Sequence, residues 1–147
     1  MEITKIHISY DDIVKDINDH IAPFKCIDCV VGIARGGVIP ATVFAYKLNI
    51  KDIYFTQLSS YDSNNKQTSL YEKLPLSISH ILNKNVLFVD DIADSGNTLN
   101  YINKVYSRYV KEAKFYTCVY KARSVFKPDF YGRAVDDYTW VNFPWEA

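Results

Sequence analysis

The stretch that most constrains this sequence is Val86-Leu87-Phe88-Val89-Asp90-Asp91-Ile92-Ala93-Asp94-Ser95-Gly96-Asn97-Thr98. Its opening, Asn85 to Val89, is a continuous apolar run of the kind found in strands covered on both faces. That run delivers two carboxylates, Asp90 and Asp91, to the edge of a sheet. There they can accept hydrogen bonds from vicinal hydroxyls or hold a divalent cation. Asp94-Ser95-Gly96-Asn97-Thr98 then turns into a helix. Gly96 permits backbone angles that other residues resist, and the amides of such a turn converge on one spot. With the hydroxyls of Ser95 and Thr98 and the positive end of a helix, that spot suits a phosphate dianion. Carboxylates for hydroxyls beside an amide cup describe a site for a ribose 5-phosphate. A solvated acidic loop would explain neither the strand that feeds it nor the residues that open the helix.

The rest of the chain alternates in period. Helical spacing runs from Tyr10 to Ile21, with Ser9 as N-cap and Asp11 and Asp12 in the first turn. Cys29 to Ala34 reads as a buried strand that stops at Arg35-Gly36-Gly37, and a helix follows from Ile39 to Leu48 with Pro40 in its first turn. Asp52 to Leu58 reads as a strand, Leu99 to Tyr109 as a helix and Lys114 to Tyr120 as a further strand. Between them, Ser59 to Ser69 is polar and without strong period, a loop that is functional or disordered. This order predicts an α/β fold with a parallel sheet, its ligand site beyond the carboxyl ends of the strands. Three loops converge there: 35–37, 59–69 and 90–98. Neither GxxxxGK[ST] nor GxGxxG occurs, so a P-loop or dinucleotide fold has no support.

Length and composition fit one domain over residues 1–147. The 17 basic and 17 acidic residues balance, which argues against a general nucleic-acid binder. The N-terminal residues lack a signal peptide's apolar stretch and no run approaches membrane-spanning length, so the expected home is the cytoplasm, away from any membrane. Three cysteines cannot all pair with one another. Cys26 and Cys29 have CxxC spacing, yet no second ligand pair accompanies them and Cys29 enters a strand instead of opening a helix. Cys29 is therefore expected in the core and Cys26 in a loop.

Val89 to Thr98 closely resembles the phosphoribosyl diphosphate signature of type I phosphoribosyltransferases. Ala34-Arg35-Gly36-Gly37 resembles that family's pyrophosphate loop, and Leu58-Ser59-Ser60-Tyr61-Asp62 the start of its flexible loop in the bacterial xanthine-guanine branch. Lys121 sits where purine-specific members carry a lysine, and Trp140-Val141 with Phe143-Pro144-Trp145-Glu146 resembles the purine-stacking segment. Residues 122–138 do not follow the bacterial pattern closely, which leaves the base preference open.

The resemblance implies a mostly parallel twisted sheet flanked by helices, with a small C-terminal hood segment. It implies a magnesium-dependent transfer of 5-phosphoribose from phosphoribosyl diphosphate to guanine, xanthine or hypoxanthine, with release of pyrophosphate. Asp90 and Asp91 would hold the ribose hydroxyls, with magnesium beside them. Asp94, Ser95, Gly96, Asn97 and Thr98 would bind the 5-phosphate, and Asp94 would also accept a proton from the base. Lys121 would donate to the 6-oxo oxygen, Trp140 would stack on the purine, and the backbone of Val141 would meet its edge. Arg35 and Gly36 would bind pyrophosphate through a loop with a cis peptide, and Ser60 and Tyr61 would belong to the substrate-closing loop. Relatives imply a homo-oligomer, a dimer or tetramer. Two alternatives stand beside this reading: transfer to adenine or a pyrimidine, and a non-catalytic sensor of phosphoribosyl diphosphate or purines. The first is disfavoured because a lysine suits an oxo acceptor, the second because such sensors add a nucleic-acid-binding module or a basic face.

Overall fold

The buried apolar runs form the middle of a six-stranded sheet in the computed structural model, which describes residues 2–60 and 69–146. In chain order the elements are β1 (Thr4–His7), α1 (Tyr10–Asp19), β2 (Cys29–Ala34), α2 (Val38–Lys47), β3 (Ile53–Ser60) and β4 (Leu70–Leu74). There follow α3 (Ile78–Ile81), β5 (Asn85–Ala93), α4 (Asn97–Tyr106), β6 (Glu112–Lys121), β7 (Phe130–Val135) and β8 (Thr139–Asn142). The main sheet runs β4-β3-β2-β5-β6-β7, and every pair is parallel except β3 with β4. After β2 the chain moves outward to β3 and β4, then returns to lay β5 on the other side of β2. This reversal puts the switch point, where open α/β sheets hold ligands, between β2 and β5.

Side-chain alternation divides the core between the two faces of the sheet. Leu87, Val89, Tyr116 and Cys118 pack with Ile13 and Ile17 of α1 and Phe44 of α2. Val86, Phe88 and Phe115 pack with Ile81 of α3 and Leu99, Ile102 and Tyr106 of α4. Cys29 is buried and Cys26 exposed, in line with their sequence reading.

The ends of several elements differ from their sequence expectation. Helix α1 starts at Tyr10 behind a capping box, in which the Asp12 amide donates to Ser9 Oγ and the Ser9 amide to Asp12 Oδ2, both at 3.0 Å. It ends at Asp19, two residues before Ile21, and a 3-10 turn, Ala22–Phe24, follows, in which Pro23 has no N–H to continue the α-helical hydrogen bonding. Helix α4 begins inside the signature, at Asn97, and stops at Tyr106. Strand β5 continues through Asp90 and Asp91 to Ala93, because Ile92 and Ala93 still pair with Val119 and Tyr120 of β6. The two carboxylates therefore stand on a rigid strand. The polar stretch after Ser59 is in part strand, with Ser60 of β3 opposite Leu70 of β4; residues 61–68 lie outside the described residues.

The hood draws on both ends of the chain. Strand β8 pairs in parallel with β1, setting Lys5 opposite Trp140 and Ile6 opposite Val141. Among the described residues no helix is long and apolar enough to cross a membrane.

Candidate active site

Strands β2, β5 and β6 end side by side, and each brings chemistry to the same rim. Arg35 and Gly36 follow β2, and the Ala34–Arg35 peptide is cis. Gly36 lies so close to the Asp91 carboxylate that a Cβ at this position would collide with it. Arg35, Gly36, Val38, Ile39, Asp91, Trp145 and Glu146 line a cleft of about 670 Å³. A neighbouring cleft of about 240 Å³ is lined by Asp90, Asp91, Ile92, Asp94, Ser95, Gly96, Thr98 and Leu99. Asp91 belongs to both, so the spaces expected for a diphosphate and for a sugar phosphate adjoin at one carboxylate.

The phosphate cup is built as its residue types require. Gly96 has φ +83°, the left-handed region, and hands the chain to α4. The Asn97 amide donates to Ser95 Oγ at 3.2 Å, which tightens the turn. The first amides of a helix have no partners within it, and Gly96, Thr98 and Leu99 at the start of α4 line the smaller cleft.

Asp90 is nearly buried, and the Asp91 amide donates to its Oδ1 at 2.8 Å. Burial pushes the Asp90 carboxyl well above the usual carboxylate range, and the charge of Asp91 adds to it. Burial also raises Asp91, with Glu146 contributing. Among the described residues no Lys or Arg forms an ion pair with either one. Paired carboxylates without a cationic neighbour fit a divalent cation. Among those residues no three His, Cys, Asp or Glu side chains gather into a metal cage. Magnesium commonly takes one or two carboxylates and leaves its other positions to water and phosphates.

A carboxyl raised in the fold holds its proton there at a pH where the unfolded chain has released it. The pair thus supports the fold fully below the ordinary value of 3.8, and that support is lost as pH rises through the folded value. Asp90→Asn removes one of these charges. Thermal melts of the substrate-free protein should show the variant gaining on wild type as pH rises above the ordinary carboxylate range; a constant difference would mean that Asp90 does not titrate there.

At the end of β6, Lys121 is only 5% exposed, and its ammonium reaches Asp94 Oδ2 at 3.4 Å. Sequence reasoning missed a second cation: Arg123 Nε donates to Asp94 Oδ1 at 2.7 Å, and Arg123 Nη2 forms an ion pair with the same oxygen. It also missed the contribution of Trp145 and Glu146 to the larger cleft. By sequence both belong only to the segment that resembles a purine-stacking one, and nothing in their local pattern points back to Asp91.

Not every expected residue joins these clefts. Trp140 is 60% exposed on β8, its indole N–H donating to Asn142 Oδ1 at 3.2 Å, and it lines neither cleft. Val141 is turned inward to the core. Ser60 closes β3 and lines neither cleft, and Tyr61 lies outside the described residues.

The model of the phosphoribosyl transferase domain family matches residues 2–147. The chain belongs to this family. A xanthine-guanine phosphoribosyltransferase of Cereibacter sphaeroides is 31% identical, over 95% of this chain and 86% of that protein. Among solved structures, a purine phosphoribosyltransferase of Pyrococcus horikoshii superposes with a TM-score of 0.86, over 99% of this chain and 95% of that one. At 24% identity this likeness speaks for the fold. A hypothetical protein of Neisseria gonorrhoeae with bound ppGpp, 28% identical, has a TM-score of 0.81 over 100% of this chain and 92% of its own. The phosphoribosyltransferase fold thus accounts for the parallel sheet, the switch point and the signature turn together.

Proposed function

We propose that this phosphoribosyltransferase joins a 6-oxopurine (guanine, xanthine or hypoxanthine) to phosphoribosyl diphosphate, giving the nucleoside monophosphate and pyrophosphate. The observation that carries this reading is the buried ammonium of Lys121 beside Asp94, at the strand end next to the sugar-phosphate cleft. An ammonium carries three donors; with Asp94 taking one, the 6-oxo oxygen can take another, where adenine presents an amino donor. The Cereibacter relative's xanthine-guanine activity supports the same substrate class.

In the reaction, a ring nitrogen of the base gives its electron pair to the anomeric carbon, and the bond from that carbon to pyrophosphate breaks, its electrons leaving with pyrophosphate. The nitrogen's surplus proton passes to Asp94. Asp90 and Asp91 orient the ribose through its hydroxyls, while the turn from Asp94 to Thr98 holds the 5-phosphate. Arg35 and the Gly36 amide neutralise the leaving pyrophosphate, and Lys121 fixes the base. Trp140 stacks on the purine. Asp91 and Asp90 would hold magnesium, which would supply charge neutralisation for the diphosphate. Catalysis here is chiefly positioning and charge management.

The test is pyrophosphate release with guanine, xanthine, hypoxanthine, adenine and uracil, each with magnesium and with chelator. Turnover is expected with the oxopurines and magnesium. Adenine should be slower by about 10²-fold, because two facing donors left unpaired each cost about 1–3 kcal/mol. Preference for adenine or uracil would overturn the role of Lys121. The Neisseria neighbour with bound ppGpp favours one second reading, a sensor of phosphorylated nucleotides. Binding of ppGpp without pyrophosphate release from any base would establish that reading instead.

A further inference from the structure

We infer that Arg123 is a positioning residue that clamps one oxygen of Asp94 so that the other is left to receive the proton from the base; the inference rests on the transferase reading above. The two oxygens of Asp94 have different partners. Oδ1 takes both Arg123 Nε, at 2.7 Å, and Arg123 Nη2. Oδ2 lies on the Lys121 side, 3.4 Å from its ammonium. Lys121 is the residue proposed to meet the base, so the oxygen beside it is the one within the base's reach. With Oδ1 held by a planar guanidinium, the carboxylate cannot rotate freely about its last bond. The acceptor is thereby aimed before the base arrives.

Exposed ion pairs often stabilise little, and both of these side chains are partly open to solvent, at 52% for Arg123 and 38% for Asp94. What distinguishes this pair is how the arginine is held. Its backbone amide donates to Asp137 Oδ1 at 3.2 Å, just ahead of the strand that carries Trp140. Two residues on, the Val125 amide donates to the Ser95 carbonyl at 2.8 Å, docking this segment on the phosphate turn. Between them Ser124 Oγ donates to the Phe126 carbonyl at 2.6 Å, closing a tight loop. Arg123 is therefore anchored on both sides of its own backbone, and its guanidinium ties the turn at Asp94 to the end of β6. The segment that supplies this tie lies within residues 122–138, which do not follow the bacterial sequence pattern closely.

The step it serves balances as written above: the proton goes from the ring nitrogen to Oδ2, and the electrons of the broken C–O bond leave with pyrophosphate. Arg123 gains or loses nothing in it. Losing Arg123 should therefore slow turnover without loosening the sugar phosphate. Arg123→Ala is expected to lower kcat by about 10–100-fold, the scale of a misplaced catalytic group, with KM for phosphoribosyl diphosphate within about twofold. Arg123→Lys should recover part of the loss, and guanidinium added to Arg123→Ala should recover more than added ammonium. In an Asp94→Asn background, Arg123→Ala should cost nothing further, since it acts through that carboxylate. If Arg123→Ala fails to fold by circular dichroism, Arg123→Gln replaces it with the same outcomes. Wild type that turns over oxopurines alongside an Arg123→Ala variant of unchanged kcat overturns this inference alone, as does an equal further loss in the Asp94→Asn background. Wild type that releases no pyrophosphate from any base overturns the functional reading, and this inference with it.

Discussion

Asp94→Asn is expected to turn over the preferred purine about 10²–10⁴-fold more slowly than wild type, the usual contribution of a positioned acid or base. Asparagine keeps the shape of the side chain and one oxygen for the Arg123 guanidinium. It loses the basicity needed to accept a proton. The fold and the sugar-phosphate site should survive, because the turn is held by the Ser95 and Val125 backbone contacts and by Gly96, none of which uses the carboxylate. Calorimetric titration of phosphoribosyl diphosphate, paired with kcat at saturation, separates the two effects. A variant that loses sugar-phosphate affinity while keeping near-normal kcat would reduce Asp94 to one wall of the phosphate cup.

Gly96→Ala should be strongly damaging, because both conformation and space oppose it. At φ +83° an L-residue pays about 1–2 kcal/mol for the left-handed conformation. Space is also lacking: the new Cβ would meet the Phe126 amide nitrogen at 2.7 Å and the Val125 amide nitrogen at 2.8 Å, with Ser124 Oγ closer still. Two of these three atoms are backbone, and Val125 is tied to Ser95, so the obstacle cannot swing away. Overpacking of this kind typically adds about 1–3 kcal/mol. The sum, about 2–5 kcal/mol, corresponds to a fall in Tm of roughly 5–15 °C for a chain of this size. Because Gly96 lies in the phosphate cup and Val125 is hydrogen-bonded to its Ser95, affinity for phosphoribosyl diphosphate should drop by at least about tenfold. A melt and a titration near wild type would mean that residues 124–126 move aside at little cost.

The central strands and the signature turn could be read from the sequence because they carry their own local signal. A strand covered on both faces is a continuous apolar run, and β2 and β5 are such runs. The turn announces itself through Gly96 and its hydroxyl neighbours. The peripheral strands have no comparable signal: β1, Thr-Lys-Ile-His, and β8, Thr-Trp-Val-Asn, are four residues each and mixed in character. Each becomes a strand only because the other lies beside it, which no window along the chain can see. Arg123 was missed for a related reason, since its partner Asp94 lies 29 residues earlier. The ends of helices went astray where chemistry outside the period decided them, Pro23 after α1 and the left-handed Gly96 before α4.

The pairing of β1 with β8 also sets an order of assembly during synthesis. The first strand made has the last as its sheet partner, so Thr4–His7 waits unpaired while nearly the whole chain emerges. By the time β6 and the signature turn have been made, the sugar-phosphate half of the site has all its described strands. The half that carries Trp140 does not yet exist, and Ile6 and Ile8 have neither Val141 nor Phe143 to pack against. A nascent chain thus makes the strands that carry its sugar-phosphate site before the one that carries Trp140, and β1 stays open to wrong partners until β8 has been made.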